Sequence, residues 1–318
     1  MIKRPLGSTG INVSEIAFGG VEIGMPYGIG VHSEADMLSR QESIRLLHEA
    51  VDRGLNFFDT ARMYGSSEEI MGQAFEDRRS EVVNSTKCCK LRDSSGGLPS
   101  SKKVKEIINK SLEESLAALK TNYVDVFMLH QADLGILEND DIAETFLLLK
   151  QKGVIRATGV STYTVEETRK SIESGHWDVV QLPYNLMDQS QSENFSIAEI
   201  KGIGIMVRSV LFKGILTKKG ACLHPELKDV ERHLTLYREL CRQTGCDLAA
   251  LAMKFALSSK QVSSVLVGID RLEYLENSIG VADGNYLNRE QLQRAKELQY
   301  PDIGFLDLVK WEREGWLT

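Results

Sequence analysis

Short apolar runs recur along the chain, at residues 16–18, 57–59, 82–86, 124–129, 157–161, 179–182, 204–210 and 262–268. The segments at 124–129 and 264–267 are almost continuously apolar, as strands covered on both faces must be. Between the runs, apolar residues mostly return at helical spacing. Residues 41–54 place Ile44, Leu47, Ala50 and Val51 on one face and stop at Gly54. Residues 101–119 do the same with Val104, Ile107, Ile108, Leu112 and Leu119. Further helices are predicted over 141–152, 165–174, 234–244, 248–257, 271–279 and 288–299, with Asp247 capping 248–257. Ahead of the first run, apolar residues flank Gly7-Ser8-Thr9-Gly10, which predicts a β-hairpin over residues 3–14.

Strands alternating with helices imply an α/β fold, either an eightfold barrel or a doubly wound sheet. A doubly wound dinucleotide fold needs Gly-x-Gly-x-x-Gly after an early strand. Gly28-Ile29-Gly30 lacks the third glycine, and Gly202-Ile203-Gly204 leads into a strand. No shift of composition marks a domain boundary. The prediction is one domain over 1–318, a (β/α)8 TIM barrel with an N-terminal hairpin and an extra C-terminal helix. Its active face would be built from βα-loops, here the polar stretches 25–40 and 90–100.

Composition narrows the function. Of 318 residues, 42% are hydrophobic, enough for a sizeable core, which argues against disorder. The net charge of −7 lacks the basic footprint of a general nucleic-acid binder. No run is long and apolar enough to span a membrane, and the basic start is followed by no apolar signal region. The cysteines, Cys88, Cys89, Cys222, Cys241 and Cys246, are odd in number and lack metal-site spacing, so reduced thiols, no metal and a cytoplasmic address are expected. Nothing in the pattern selects an oligomeric state.

The strand ends carry the chemistry. Asp59 closes the second run, Tyr64 follows it, Lys87 follows the third and His130 follows the fourth. Singly, these residues read as a turn cap, a loop contact, a solvated end and a structural histidine. Together at adjacent strand ends they suit protonation of a carbonyl oxygen. A phenol with a reference pKa of about 10 is a weak acid, and a neighbouring ammonium lowers that value. Lys87 is expected to do this to Tyr64, with Asp59 holding Lys87. His130 is expected to bond the substrate oxygen or the phenol. The hydride must come from a cofactor, since side chains supply none. A hydrolase using two of Asp59, Asp125 and Glu68 is the competing reading.

The segments Asn56-Phe57-Phe58-Asp59-Thr60-Ala61-Arg62-Met63-Tyr64-Gly65-Ser66-Ser67-Glu68, Thr86-Lys87, Leu129-His130, Gly159-Val160-Ser161 and Gln181-Leu182-Pro183-Tyr184-Asn185 resemble the aldo-keto reductase family over nearly the whole chain. The resemblance implies a barrel oxidoreductase that interconverts a carbonyl (aldehyde, ketone or aldose) with its alcohol or lactone. It implies NADP or NAD as cofactor, with Asp59, Tyr64, Lys87 and His130 as the catalytic tetrad. A cofactor-loaded regulatory subunit is the other role it allows. Ser161 and Gln181 would hold the nicotinamide carboxamide, with Thr162 where the family usually has Asn. Arg208 stands where many members have an aromatic residue that stacks on the nicotinamide. Such an Arg-Ser pair resembles a sugar-dehydrogenase-like branch. Gly20, Ser209, Leu211 and Lys213 would line the dinucleotide toward its diphosphate. Gly268, Arg271, Glu276 and Asn277 would meet the adenosine end. Arg271 suits a 2′-phosphate and Asp270 opposes one, so NADP and NAD both stay open. Lys213 and Arg271 are the expected local positive charges. Met25, Tyr27 and Leu91 are the expected substrate contacts.

Overall fold

The computed structural model describes residues 1–93 and 95–317. Ser94, inside the predicted loop 90–100, and Thr318 lie outside the described residues.

The hairpin forms from β1 (Lys3–Pro5) and β2 (Asn12–Ser14), paired antiparallel. Eight parallel strands follow: β3 (Ile16–Gly19), β4 (Phe57–Asp59), β5 (Val83–Cys88), β6 (Val124–Leu129), β7 (Ile155–Ser161), β8 (Val179–Pro183), β9 (Gly204–Arg208) and β10 (Val262–Gly268). They pair in sequence order and close when β10 meets β3. The predicted fold is therefore the observed one.

Two packing layers follow from strand alternation. Phe18, Phe58, Thr86, Phe127 and Val160 are buried on the outer side, against the helices. Ala17, Phe57, Val83, Val126, Met128, Ala157, Val179 and Met206 fill the barrel interior. Leu6, Ile11 and Val13 of the hairpin join that interior cluster, so the hairpin plugs the N-terminal end. Two-residue steps from these interior positions lead to Asp59, Ser85, Lys87, His130, Ser161, Gln181 and Arg208. The interior is thus apolar at its base and polar at the C-terminal mouth, from one alternation carried through to the strand ends. Met128 fits because Gly159 has no side chain: a Cβ there would stand 2.7 Å from Met128 Cγ.

The structure corrects several boundaries. β5 runs to Cys88, so Lys87 is inside the strand, fully buried, rather than at a solvated end. β9 stops at Arg208 instead of residue 210 because Ser209 takes a left-handed φ of 59°. Phe212 and Lys213 are left-handed too, with φ of 48° and 58°. Non-glycine strain of this kind costs about 1–3 kcal/mol per residue and gathers at binding sites. Helices Ser67–Ala74 and Phe195–Lys201 fill two positions that the periodicity left unassigned. The predicted helix 234–244 is two, Lys228–Leu234 and Tyr237–Thr244.

The plug generates a test. Leu6 is fully buried, so Leu6→Ala should lower unfolding stability by about 2–5 kcal/mol in denaturant titration. Turnover by the folded fraction should stay unchanged, because the cavity opens at the end opposite the mouth.

Candidate active site

At the mouth, Lys87 Nζ donates to Asp59 Oδ2 at 2.5 Å and to the Thr60 carbonyl at 2.9 Å. Asp59 Oδ1 accepts from Ser85 Oγ at 3.0 Å and Gln181 Nε2 at 3.1 Å. All four side chains are almost wholly buried. Strands β4, β5 and β8 are thereby tied through one carboxylate. Two of the three ammonium hydrogens of Lys87 are committed, which leaves one. The same Nζ lies 4.9 Å from the centroid of the Tyr64 ring.

Tyr64 comes from the loop beyond β4, and that loop is stapled in place. Thr60 Oγ1 donates to Ser67 Oγ at 2.8 Å, and Ser66 N donates to the Gly24 carbonyl at 3.1 Å. Arg62 bonds the buried Glu68 and, at 2.7 Å, Glu69. Glu68 also accepts from Thr86 Oγ1 at 2.5 Å. A charged brace thus runs from the Tyr64 loop to the residue beside Lys87. The sequence reading missed Arg62 and Thr86 in this role and weighed Glu68 only as a catalytic carboxylate. Their spacing repeats no pattern, and the contacts form only once the strands align.

The rings of Tyr64 and His130 meet edge to face, with centroids 5.4 Å apart. His130 Nδ1 is buried and bonds no protein group. Burial, with the charges of Lys87, Arg208 and Lys90, pushes the imidazole down to about 3. It is therefore neutral near neutral pH. For Tyr64 the expected sign is reversed. Burial, aided by the charge of Asp59 and opposed by that of Arg208, holds the phenol well above 10. The cation that opposes burial here is Arg208 rather than Lys87. Lys87 is itself lowered by burial, against the pull of Asp59.

The competing hydrolase needs two uncommitted carboxylates. Asp59 and Glu68 are engaged as described. Asp125 pairs with Arg79 at 2.8 Å and Arg156 at 2.6 Å, and accepts from Asn84 N at 2.9 Å. Among the described residues, no cluster of His, Cys, Asp or Glu is placed to hold a metal ion.

The expected cofactor positions are spread around the mouth. Ser161 and Gln181 lie side by side on β7 and β8. Among the described residues, the Ser161 hydroxyl and the Gln181 side-chain carbonyl bond no protein group, Gln181 donating to Asp59 through Nε2, and such a donor–acceptor pair fits a carboxamide. Thr162 Oγ1 is spent on Thr168 at 2.7 Å, so it adds no amide contact. Arg208 donates to the Thr162 carbonyl at 2.8 Å and stacks on Tyr163, Cζ lying 4.4 Å from the ring centroid. Ser209, Leu211 and Lys213 form the left-handed turn beyond β9. Lys213 pairs with Glu312 at 2.5 Å and lies over the Tyr27 ring at 4.8 Å, so it is matched rather than free. Gly20 packs on helix Ser67–Ala74: a Cβ there would meet Met71 Cε at 2.6 Å and Ser67 Oγ at 2.7 Å. Gly268 ends β10. Arg271 pairs with Asp270, and Glu276 with Arg53 at 3.2 Å. Asn277 is exposed on the helix Leu272–Val281.

Of the expected substrate contacts, Met25 and Tyr27 are exposed on the loop beyond β3. Leu91 is a correction: it is buried in the outer core, because the chain beyond β5 turns onto helix Ser101–Ala118. Tyr163 and Met63 are exposed on loops at the mouth instead.

The neutral His130 carries a prediction. Its imidazole should show no protonation step between about pH 5 and 8, the range of an ordinary histidine. Ring C–H shifts followed by NMR, with His130→Asn used for assignment, check this. A step near the ordinary value of about 6.5 would contradict the burial described here.

The family model described as "Aldo/keto reductase family" matches residues 15–299. L-galactose dehydrogenase of Arabidopsis thaliana is 28% identical, over 87% of this chain and 86% of that protein. NADH-specific methylglyoxal reductase of Escherichia coli is 28% identical, over 90% and 94%. The holo form of aldo-keto reductase AKR11C1 from Bacillus halodurans superposes with a TM-score of 0.78 at 26% identity, covering 94% of this chain and 96% of that one. With the barrel closed in the same way and the model spanning nearly all of it, the chain belongs to the aldo/keto reductase family of oxidoreductases.

Proposed function

We propose that the protein interconverts a small polar carbonyl compound, such as an aldehyde or aldose, and its alcohol or lactone. NADH or NADPH, when bound, gives up the hydride, and the oxidised dinucleotide takes it back. The observation that carries this reading is the convergence of Tyr64, His130, Lys87 and Asp59 on one barrel mouth.

The roles follow from the geometry. In reduction, the Tyr64 hydroxyl donates its proton to the substrate oxygen as negative charge develops there. The phenolate left behind is next to the Lys87 ammonium, whose Nζ lies 4.9 Å from the centre of the ring. Asp59 keeps Lys87 charged and fixed, so the stabilising group is in place before the charge forms. Neutral His130 bonds the substrate oxygen and orients it toward Tyr64. In oxidation the phenolate takes the proton back. The free phenol stays protonated across the physiological range, so the resting site holds the proton that carbonyl reduction consumes.

Ser161 and Gln181 hold the carboxamide. The brace of Arg62, Glu68 and Thr86 keeps the Tyr64 loop from drifting. The exposed rings of Tyr27 and Tyr163 give a small sugar-like substrate flat surfaces at the entrance. Two relatives carry the names of small carbonyl compounds, L-galactose dehydrogenase and NADH-specific methylglyoxal reductase, which supports this substrate class. The unpaired cysteines fit a reducing compartment, the cytoplasm.

Tyr64→Phe tests the central role. It should lower kcat by about 10²–10⁴-fold, the usual worth of a positioned acid. Dinucleotide affinity, read by quenching of tryptophan fluorescence, should be retained. Near wild-type turnover in that variant would remove Tyr64 as the acid.

A further inference from the structure

Two neighbouring cysteines, Cys88 and Cys89, follow Lys87 directly. Adjacent side chains within a strand point to opposite faces. Strand β5 stops at Cys88, so Cys89 is released from that alternation. The two thiols hydrogen-bond one another, and both bond the Ser111 hydroxyl of helix Ser101–Ala118. Ser111 Oγ also accepts from Cys89 N at 3.0 Å. Cys88 is fully buried in the outer core, while Cys89 is partly exposed. The pair thus lies on the helix side of the barrel wall, and Lys87 on its interior side.

The surroundings set the two thiols apart. Hydrogen bonding from Cys88 holds Cys89 below the ordinary thiol range, with Ser111 adding to this and burial and Glu114 opposing. The same contact, with burial, holds Cys88 well above that range. Cys89 is therefore the nucleophile that small reagents reach, and Cys88 its protonated neighbour.

We propose that Cys88 and Cys89 are a redox modification site, oxidised by a hydroperoxide to a disulfide between neighbours that pulls Lys87 out of place. The Cys89 sulfur attacks one peroxide oxygen, the O–O bond breaks, and the other oxygen leaves as water or alcohol with a proton from solvent. The sulfenic acid so formed has a thiol beside it, with which it condenses. The Cys88 sulfur attacks the Cys89 sulfur, the S–S bond forms, and the hydroxyl leaves as water with the Cys88 proton. Two electrons pass from the thiols to the peroxide. Consecutive Cα atoms are about 3.8 Å apart, closer than the roughly 4.4–6.8 Å of ordinary bridges, so the ring closes only by twisting the backbone between the two residues. That backbone is the end of β5, where Cys88 is registered on Leu129 and Lys87 on Met128 of β6. A twist there loosens the ladder beside Lys87, whose Nζ is held 2.5 Å from Asp59. A strained bridge is also readily reduced, so thiol reductants reverse the change.

The test treats the full-length protein with a small excess of hydrogen peroxide and follows it by peptide mass mapping, hydrogen exchange and carbonyl reduction. The peptide holding Cys88 and Cys89 should lose two hydrogens and stop taking a thiol-blocking reagent. Amides of β5 should exchange faster, which reads the displacement without reference to turnover. Turnover should fall by about 10²-fold, the scale expected when a reacting group is misplaced by about 1 Å. Dithiothreitol should restore all three. Cys89→Ser should keep its starting turnover and resist peroxide. Cys88→Ala should form no bridge and stop at a Cys89 sulfenic acid, trapped by dimedone. Oxidation confined to Cys222, Cys241 or Cys246 would overturn the proposal. So would a Cys89 sulfinic acid formed with Cys88 untouched, a bridge that leaves β5 exchange unchanged, or equal peroxide sensitivity in Cys89→Ser. A reversible bridge that loosens β5 in a protein without carbonyl turnover would support this inference while removing the proposed reaction.

Discussion

The buried pair of Lys87 and Asp59 is the constraint on which the mouth of the barrel depends. An ammonium and a carboxylate taken out of water lose several kcal/mol of hydration each, and only close contact and further hydrogen bonds offset this. Here the offset is complete in kind. Asp59 accepts from Lys87, Ser85 and Gln181, and Lys87 donates to Asp59 and Thr60. Three strands and the start of the Tyr64 loop must be in register for those bonds to form. The pair thus converts strand alignment into the position of one free ammonium hydrogen beside a phenol. It also sets the electrostatics. A compensated Lys87 leaves Tyr64 governed by burial, while still helping to keep His130 neutral.

Much of this was legible before any coordinates. The apolar runs mark all eight barrel strands, because strands sandwiched between a filled interior and a helix layer must be apolar. Asp59, Tyr64, Lys87 and His130 each have an ordinary reading taken singly, and they stand out because all four gather at adjacent strand ends. Helix Ser67–Ala74 was not legible: it is short and opens with Ser67, Glu68 and Glu69, so only Ile70, Met71 and Ala74 carry its apolar face. Phe195–Lys201 is only two turns long. Leu91 misled because its place in the outer core depends on where the chain turns after β5. The sign at Tyr64 was missed because adjacency to Lys87 is visible in the sequence and burial is not.

The same logic links fold to function across the mouth. Alternation along β4 to β9 brings polar residues inward only at the C-terminal ends. Left-handed backbone at Ser209, Phe212 and Lys213 then bends the chain over that rim. Cations near the rim, Lys213 and Arg271 among them, are matched by Glu312 and Asp270. Lys213 and Arg271, the cations expected at the rim, are thus already paired with carboxylates. The overall balance of −7 therefore says little about the charge at the mouth itself.

The most direct measurement is a double-mutant cycle on the buried pair, with Asp59→Asn, Lys87→Met and the combination compared in single-turnover carbonyl reduction at saturating dinucleotide. If the two residues act as one unit, either single change removes nearly all of the rate that both remove together, a coupling of several kcal/mol. Losses that simply add would contradict the account, because they would mean that Asp59 and Lys87 act on Tyr64 independently.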